Sequence, residues 1–388
     1  MAKRPLGLYI HWPYCISKCP YCDFNSHAAG ERIPEKEYVE ALLRDLESDL
    51  QKYPDFIQGR SIHSIFIGGG TPSLFSAESY RAIFSGLKNQ LSFSDDIEIT
   101  LEANPGTVEQ EKFSGYREAG INRLSLGIQS FSGEKLKKLG RIHGAAEAVY
   151  AVEAAKKAGF DNFNIDLMHG LPKQTVDEAL ADLRQAMDLG VSHLSWYQLT
   201  IEPNTVFYRQ PPTLPVDEVL WDIQQAGLAL LQNHGFQQYE VSAFARAVKD
   251  ELQVCRHNIN YWQFGDYLGI GAGAHGKITL PAENKIVRYN KTRIPKHYLQ
   301  HSVSNLAEQQ VLTENDLPFE FMLNALRLRE GVPSALFAER TGLPLATIDA
   351  VCKTLRDQGL LEKNENRLVA TEKGFLFLND VLTAFMPD

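Results

Sequence analysis

The chain has 388 residues, 44% of them hydrophobic and 22% charged, with a formal net charge of −9. This length exceeds one ordinary domain, and the balance is that of a globular protein with a well-filled core. The acidic sign gives no reason to expect a phosphate-neutralising surface, so no nucleic-acid partner is expected.

No apolar run approaches the ~20 residues of a membrane span. The opening MAKRPLGLYIHW has no apolar core or small-residue cleavage site, which predicts no secretory signal. Five cysteines are too few and odd in number for a secreted disulfide framework, which points to a reducing, cytoplasmic compartment.

The first predicted strand, LGLYIHW (6–12), runs into HWPYCISKCPYCDFNSH (11–27), which holds three of the five cysteines. A helix follows over 36–53. Strands are expected at 61–68, 97–103, 122–128, 162–170, 193–201 and 237–243, with helices over 145–159 and 175–190 among them. The helix at 145–159 places Ala148, Val149, Val152 and Ala155 on one face and ends at Gly159.

Such alternation predicts an α/β fold, a full or partial (β/α) barrel whose functional residues gather at the C-terminal strand ends. GGGTP, EANPG, GIQSF, HGLPKQT and TIEPN all fall there. We divide the chain into a barrel core (1–240), a connecting segment packed on it (241–305) and a small winged-helix-like α+β domain (306–388). The segment in the recognition position of that last domain, 344–358, sets Asp349 and Asp357 against Lys353 and Arg356, a poor surface for DNA.

Cys15, Cys19 and Cys22 form C-x3-C-x2-C in a loop where Pro13 and Pro20 disfavour helix and leave backbone amides unpaired. Four readings compete from spacing alone. Zinc requires a fourth ligand, His11 or His27; a disulfide leaves one thiol over; inert cysteines rarely crowd an aromatic loop; an iron–sulfur cluster with three thiolates leaves one iron open.

The motif, with an aromatic residue before its last cysteine, resembles the signature of the radical S-adenosylmethionine (SAM) superfamily. The resemblance implies a 4Fe–4S cluster on Cys15, Cys19 and Cys22, with SAM on the fourth iron and reductive cleavage to a 5′-deoxyadenosyl radical. GGGTP resembles the glycine-rich SAM motif, which places Gly69, Gly70 and Thr71 in the SAM site. Tyr9, Glu102, Gln129, Arg141, Asp166 and Thr200 match further SAM-site positions at or just beyond strand ends. Each alone also fits a satisfied polar residue at a core edge.

YIHWPYC, GGGTPS, NIDLMHGLPKQT and GIGAGAHG extend the likeness to the oxygen-independent coproporphyrinogen III oxidase group over nearly the whole chain. The oxidases carry a fourth cysteine two residues after the third and an N-terminal extension before the first strand. Here that cysteine position is Phe24, as in the heme-chaperone (HemW-type) branch, which also carries H-N-x-x-Y-W. That motif stands here as His257, Asn258, Tyr261 and Trp262. Imidazole is a common axial ligand of heme iron and aromatic rings offer flat faces, although the same residues also suit a hydrogen-bonded core edge. Cys255 and His275 are weaker candidates, and GIGAGAHG (269–276) is expected to approach SAM or heme by its backbone.

The expected activity is therefore heme binding and transfer to acceptor hemoproteins of the respiratory chain, some reached at a membrane. An electron donor serves the cluster, and a homodimer is compatible with transfer; no catalytic residue is assigned. The alternatives are a radical SAM oxidase of coproporphyrinogen III and a zinc-stabilised binding module.

Overall fold

The computed structural model describes residues 5–30, 32–106, 111–300 and 304–387. The first four residues of the stretch read for a secretory signal lie outside them. Twelve strands form one sheet: β1 (Leu6–Trp12), β2 (Ile62–Gly69), β3 (Phe93–Ala103), β4 (Arg123–Gln129), β5 (Phe163–His169), β6 (His193–Gln198), β7 (Gln237–Glu240), β8 (Ala243–Ala245), β9 (Asp266–Ile270), β10 (His275–Leu280), β11 (Lys285–Lys291) and β12 (Leu306–Val311). Their order is β12-β11-β10-β9-β1-β2-β3-β4-β5-β6-β8-β7. From β9 to β6 every pairing is parallel; the flanking strands are antiparallel. The ladder is open, so the partial barrel is the form adopted.

In β1 six of seven residues are buried, as expected of a parallel strand covered on both faces. Helices between the strands supply the cover. Helix Val176–Asp188 starts at a Thr175/Glu178 capping box and buries Ala179, Asp182, Leu183, Ala186 and Met187. Helix Ala145–Lys157 buries Ala148, Ala151, Val152 and Ala155, and Gly159 beyond it takes φ 83°.

β9 is a strand that the sequence pattern does not show. Its five residues stand before a glycine-rich run that looks like a loop, yet β9 pairs with β1 in parallel from Leu6–Asp266 to Ile10–Ile270. The backbone of GIGAGAHG makes close approaches within the chain, at the strand and loop that carry the cysteines. A Cβ on Gly271 would lie 2.3 Å from His11 O, and one on Gly273 2.4 Å from Asn25 Nδ2. His275 is exposed at the start of β10.

Helix Glu35–Lys52 turns Asp45 and Asp49 inward. Both accept from the buried Lys291, at 2.7 Å and 2.6 Å. Asp45 also accepts from Gly271 N and the Tyr298 hydroxyl, so the ion triad anchors the loop after β9.

The C-terminal unit has its own core, including Leu317, Phe321, Phe337, Ile348, Leu355 and Val381. Helices Leu317–Ala325, Ala335–Thr341 and Ala346–Asp357 precede a minimal hairpin joined by the Leu361–Ala370 bridge. Two short helices, Glu372–Leu376 and Leu378–Thr383, follow it.

Candidate functional site

The cysteine loop leaves the C-terminal end of β1. Tyr14–Cys15 pairs with His27–Ala28, and Gly70 N and Thr71 N donate to Trp12 O and Tyr14 O. This seating explains the glycines: a Cβ on Gly70 would meet Tyr14 O at 2.6 Å, and one on Gly69, at φ 117°, would meet His11 at 2.5 Å. Asn25 pins the far side of the loop by donating to Ala272 O and Arg293 O.

Each thiol has a polar neighbour. Thr71 Oγ1 donates to Cys15 Sγ at 3.4 Å, Arg141 Nη1 to Cys19 Sγ at 3.8 Å, and Ser26 Oγ lies 3.8 Å from Cys22 Sγ. Burial pushes the Cys15 and Cys22 thiols up; against it, the Thr71 hydroxyl and the Phe24 backbone amide favour the respective thiolates.

Among the described residues, no three His, Cys, Asp or Glu side chains converge to hold a single metal ion. Of the two candidate fourth ligands for zinc, His11 is engaged at Nδ1 by Tyr9 and at Nε2 by Asn25 O, and His27 meets Asn25 Oδ1 with its Nε2 at 3.2 Å. Three separated thiols, each beside a donor, fit a cluster that takes each sulfur on a different iron. Phe24, at the position of the oxidases' fourth cysteine, is 61% exposed.

Most of the predicted SAM residues lie at the same end of the sheet, with Tyr9 and Asp166 at mid-strand. Glu102 accepts from Gly69 N at 3.1 Å. Burial, then the nearby Asp166, pushes its carboxyl up to about 8. Tyr9 lies in β1 beside it, and burial raises its phenol. Arg141 Nη2 donates to Asn104 Oδ1 at 2.6 Å and Gly127 O at 2.5 Å. Asp166 accepts from Ser125 and Asn164. Thr200 is exposed two residues beyond β6.

Gln129 ends β4 at φ 71°, a left-handed backbone that a non-glycine residue seldom adopts. Tyr197 donates to its Oε1 at 2.8 Å. Asp182 holds the next two residues, accepting from Ser130 Oγ at 2.8 Å and Phe131 N at 2.7 Å. Asp182→Ala orphans both donors and is expected to lower stability by ~2–3 kcal/mol in a urea titration.

Asn104 and Tyr197 were not singled out from sequence. Asn104 lay in plain view inside EANPG and joins Thr71 to Arg141. Tyr197, in an ordinary strand, gave no such signal.

The H-N-x-x-Y-W segment is elsewhere. It forms helix Arg256–Trp262 at the opposite, N-terminal end of the sheet, where a Cβ on Gly7 would lie 3.2 Å from the His257 ring. The span from Gly7 to Trp12 puts ~17 Å of strand between it and the cysteine loop. His257 is 1% exposed; its Nδ1 meets Ser64 Oγ at 3.0 Å and its Nε2 the Tyr261 hydroxyl at 2.8 Å. Burial drives its imidazole down to about 3, so it is neutral. His257 N donates to Glu98, and Cys255, pushed up to about 12 by burial, sits 3.8 Å from the same carboxylate.

Asn258 is partly exposed on the helix. Trp262 lies under the Arg327 guanidinium at 4.3 Å, with its Nε1 buried and unpartnered. The structure therefore gathers the cysteines with most of the SAM residues and holds the candidate heme residues apart from the cysteines. Tyr9 reaches toward the heme segment through Phe66, whose ring lies 6.4 Å from its own and 5.4 Å from that of His257.

An open parallel sheet with a three-cysteine loop after β1 and a glycine turn after β2 defines a radical SAM architecture. Residues 9–186 match the Radical SAM superfamily and residues 312–377 the HemN C-terminal domain. The chain is 54% identical over 384 residues to the heme chaperone HemW of Haemophilus influenzae, covering 99% of this chain and 98% of that one. It is 50% identical to HemW of Escherichia coli, covering 99% of each. The solved coproporphyrinogen III oxidase (HemN) of Escherichia coli is similar with a TM-score of 0.81 at 25% identity, covering 99% of this chain and 90% of that one. This chain belongs to the HemW heme-chaperone family of the radical SAM superfamily. Membership implies use of a 4Fe–4S cluster and SAM.

Proposed function

We propose that the chain binds heme and passes it to acceptor hemoproteins, using a cluster held by Cys15, Cys19 and Cys22. SAM is held by Tyr9, Gly69, Gly70, Thr71, Glu102, Gln129, Arg141, Asp166 and Thr200. Heme is held at the segment of His257, Asn258, Tyr261 and Trp262. The observation that carries the reading is Phe24: an exposed phenylalanine stands where the oxidases are expected to carry a fourth thiol. The near-full-length likeness to HemW proteins supports it. No described helix is long and apolar enough to cross a membrane. In this reading the protein works in the cytoplasm, receives electrons from a donor protein and meets membrane-bound acceptors transiently.

When bound, the cluster and SAM supply one-electron cleavage of a sulfonium. The residues of the chain orient SAM: the glycine turn faces its methionine end, while Glu102 and Asp166 present carboxyl groups. The sulfonium charge is fixed, so it is drawn by an ionised Glu102. With that carboxyl raised to about 8, ionisation grows as pH rises toward that value. SAM affinity is expected to rise by about tenfold per unit at lower pH and flatten above it. Calorimetric titration checks this, and Glu102→Gln is expected to remove the slope.

Absorbance titration of the anaerobically purified chain with heme tests the main reading. Saturable binding is expected, and its loss in His257→Ala; circular dichroism checks that this variant, less stable for losing a buried side chain with two hydrogen bonds, still folds. Because both ring nitrogens of His257 are engaged, direct ligation requires Nδ1 to leave Ser64 or Nε2 to leave Tyr261. Absence of saturable binding in the wild type overturns the proposal. The likeness to the solved oxidase favours one second reading, oxidation of coproporphyrinogen III. Carbon dioxide release from that substrate with SAM and a reduced cluster would establish it; none is expected.

A further inference from the structure

A file of polar side chains crosses the interior from the SAM carboxyls to the helix of His257, and its donors can be assigned link by link. Asp166 accepts at one oxygen from Ser125 Oγ at 3.0 Å and at the other from Asn164 Nδ2 at 2.7 Å. That orientation leaves Asn164 Oδ1 as an acceptor, which meets His193 Nδ1 at 2.7 Å. His193 is buried and neutral, so it carries a single proton, here on Nδ1. Its Nε2 must accept, and its partner is the Tyr239 hydroxyl at 2.8 Å. With its proton committed to His193, Tyr239 accepts Cys255 N–H at 3.3 Å. Cys255 immediately precedes helix Arg256–Trp262.

Every donor in this file points toward Asp166, so each link polarises the next and a charge placed at one end is felt at the other. A second element runs beside it. Arg123 is 1% exposed, with Nε and Nη2 lacking hydrogen-bond partners. Its charge is balanced through space by Glu98, which holds His257 N, and by Asp166. A cation or a new hydrogen bond at Asp166 therefore changes both the file and the balance of charge around Arg123, which Glu98 shares. The helix is an element able to respond, since iron ligation by His257 requires it to leave the closed arrangement.

We propose that SAM at Glu102 and Asp166 and heme at the His257 helix are energetically linked through the Asp166–Asn164–His193–Tyr239–Cys255 file, with Tyr239 and His193 as positioning residues. The inference rests on the heme reading above. Linkage is reciprocal, so either ligand can report it.

The test is heme titration of the full, cluster-reconstituted chain with and without saturating SAM. In the wild type, SAM is expected to change heme affinity by about fivefold or more. In Tyr239→Phe, which keeps the ring and removes the joint, the two affinities are expected to converge while each ligand still binds alone. His193→Gln breaks the file independently and is expected to do the same; thermal melts verify that both variants fold. Nitrogen NMR of the ligand-free wild type should show His193 protonated at Nδ1.

A wild type whose heme affinity ignores SAM, a Tyr239→Phe variant that keeps the full effect, or an Nε2-protonated His193 overturns the linkage alone. A wild type that binds no heme overturns the heme reading, and the linkage with it.

Discussion

Replacing any one of Cys15, Cys19 and Cys22 by alanine is expected to abolish the iron–sulfur chromophore of anaerobically reconstituted protein and to weaken SAM binding by about tenfold or more. The loop carries one polar neighbour per thiol and no spare sulfur. Cys255 lies in the interior beside Glu98, and Cys352 is buried in the C-terminal core. Neither can replace a lost ligand, so Cys352→Ala is expected to leave the chromophore intact. Iron and sulfide analysis with calorimetric SAM titration checks both statements. Bound zinc without iron or sulfide would overturn the cluster and restore the zinc alternative, despite the commitment of both His11 nitrogens.

Lys291→Met is expected to cost ~3–5 kcal/mol in a denaturant titration, because it leaves Asp45 and Asp49 buried without their cation. The pairing is tight, and the side chains of Lys291 and Asp45 are 0% exposed. The loss reaches the site through a short chain of contacts. Asp45 and Tyr298 hold Gly271 N, Tyr38 holds Ala272 N, and Ala272 O accepts Asn25 of the cysteine loop. A lower yield of reconstituted cluster should therefore accompany the lower stability. Adding Asp45→Asn and Asp49→Asn to Lys291→Met removes the orphaned charges and is expected to recover much of the loss. No recovery would show that lost packing, and not the buried charge, dominates.

Elements with strong local patterns were legible. The first strand was placed at its observed ends, and helix 175–190 carried its own capping box. The GGGTP turn could be read because close backbone approach requires glycine wherever the chain folds back on itself. β9 could not, since a short strand before three glycines has no periodicity to expose it. Asp45 and Asp49 stand four residues apart on a helix, a spacing that solvated acidic residues also show. Only Lys291, some 240 positions away, explains why they are buried.

The heme motif shows the same division within one site. Its residue types and spacing were readable along the chain and set it apart as a chemical unit. Its location at the far end of the sheet, with both nitrogens of His257 engaged, depended on β9 inserting beside β1 and bringing the preceding helix under the strands. Consecutive residues disclose donor type, turn geometry and ligand spacing because these are short-range properties of the chain. Burial, hydrogen-bond direction and the distance between two motifs arise from contacts across hundreds of residues, and packing alone decides them. Thus the thiol triplet and Phe24 could be read from the sequence, whereas the polar file that joins Asp166 to Cys255 exists only in the folded interior.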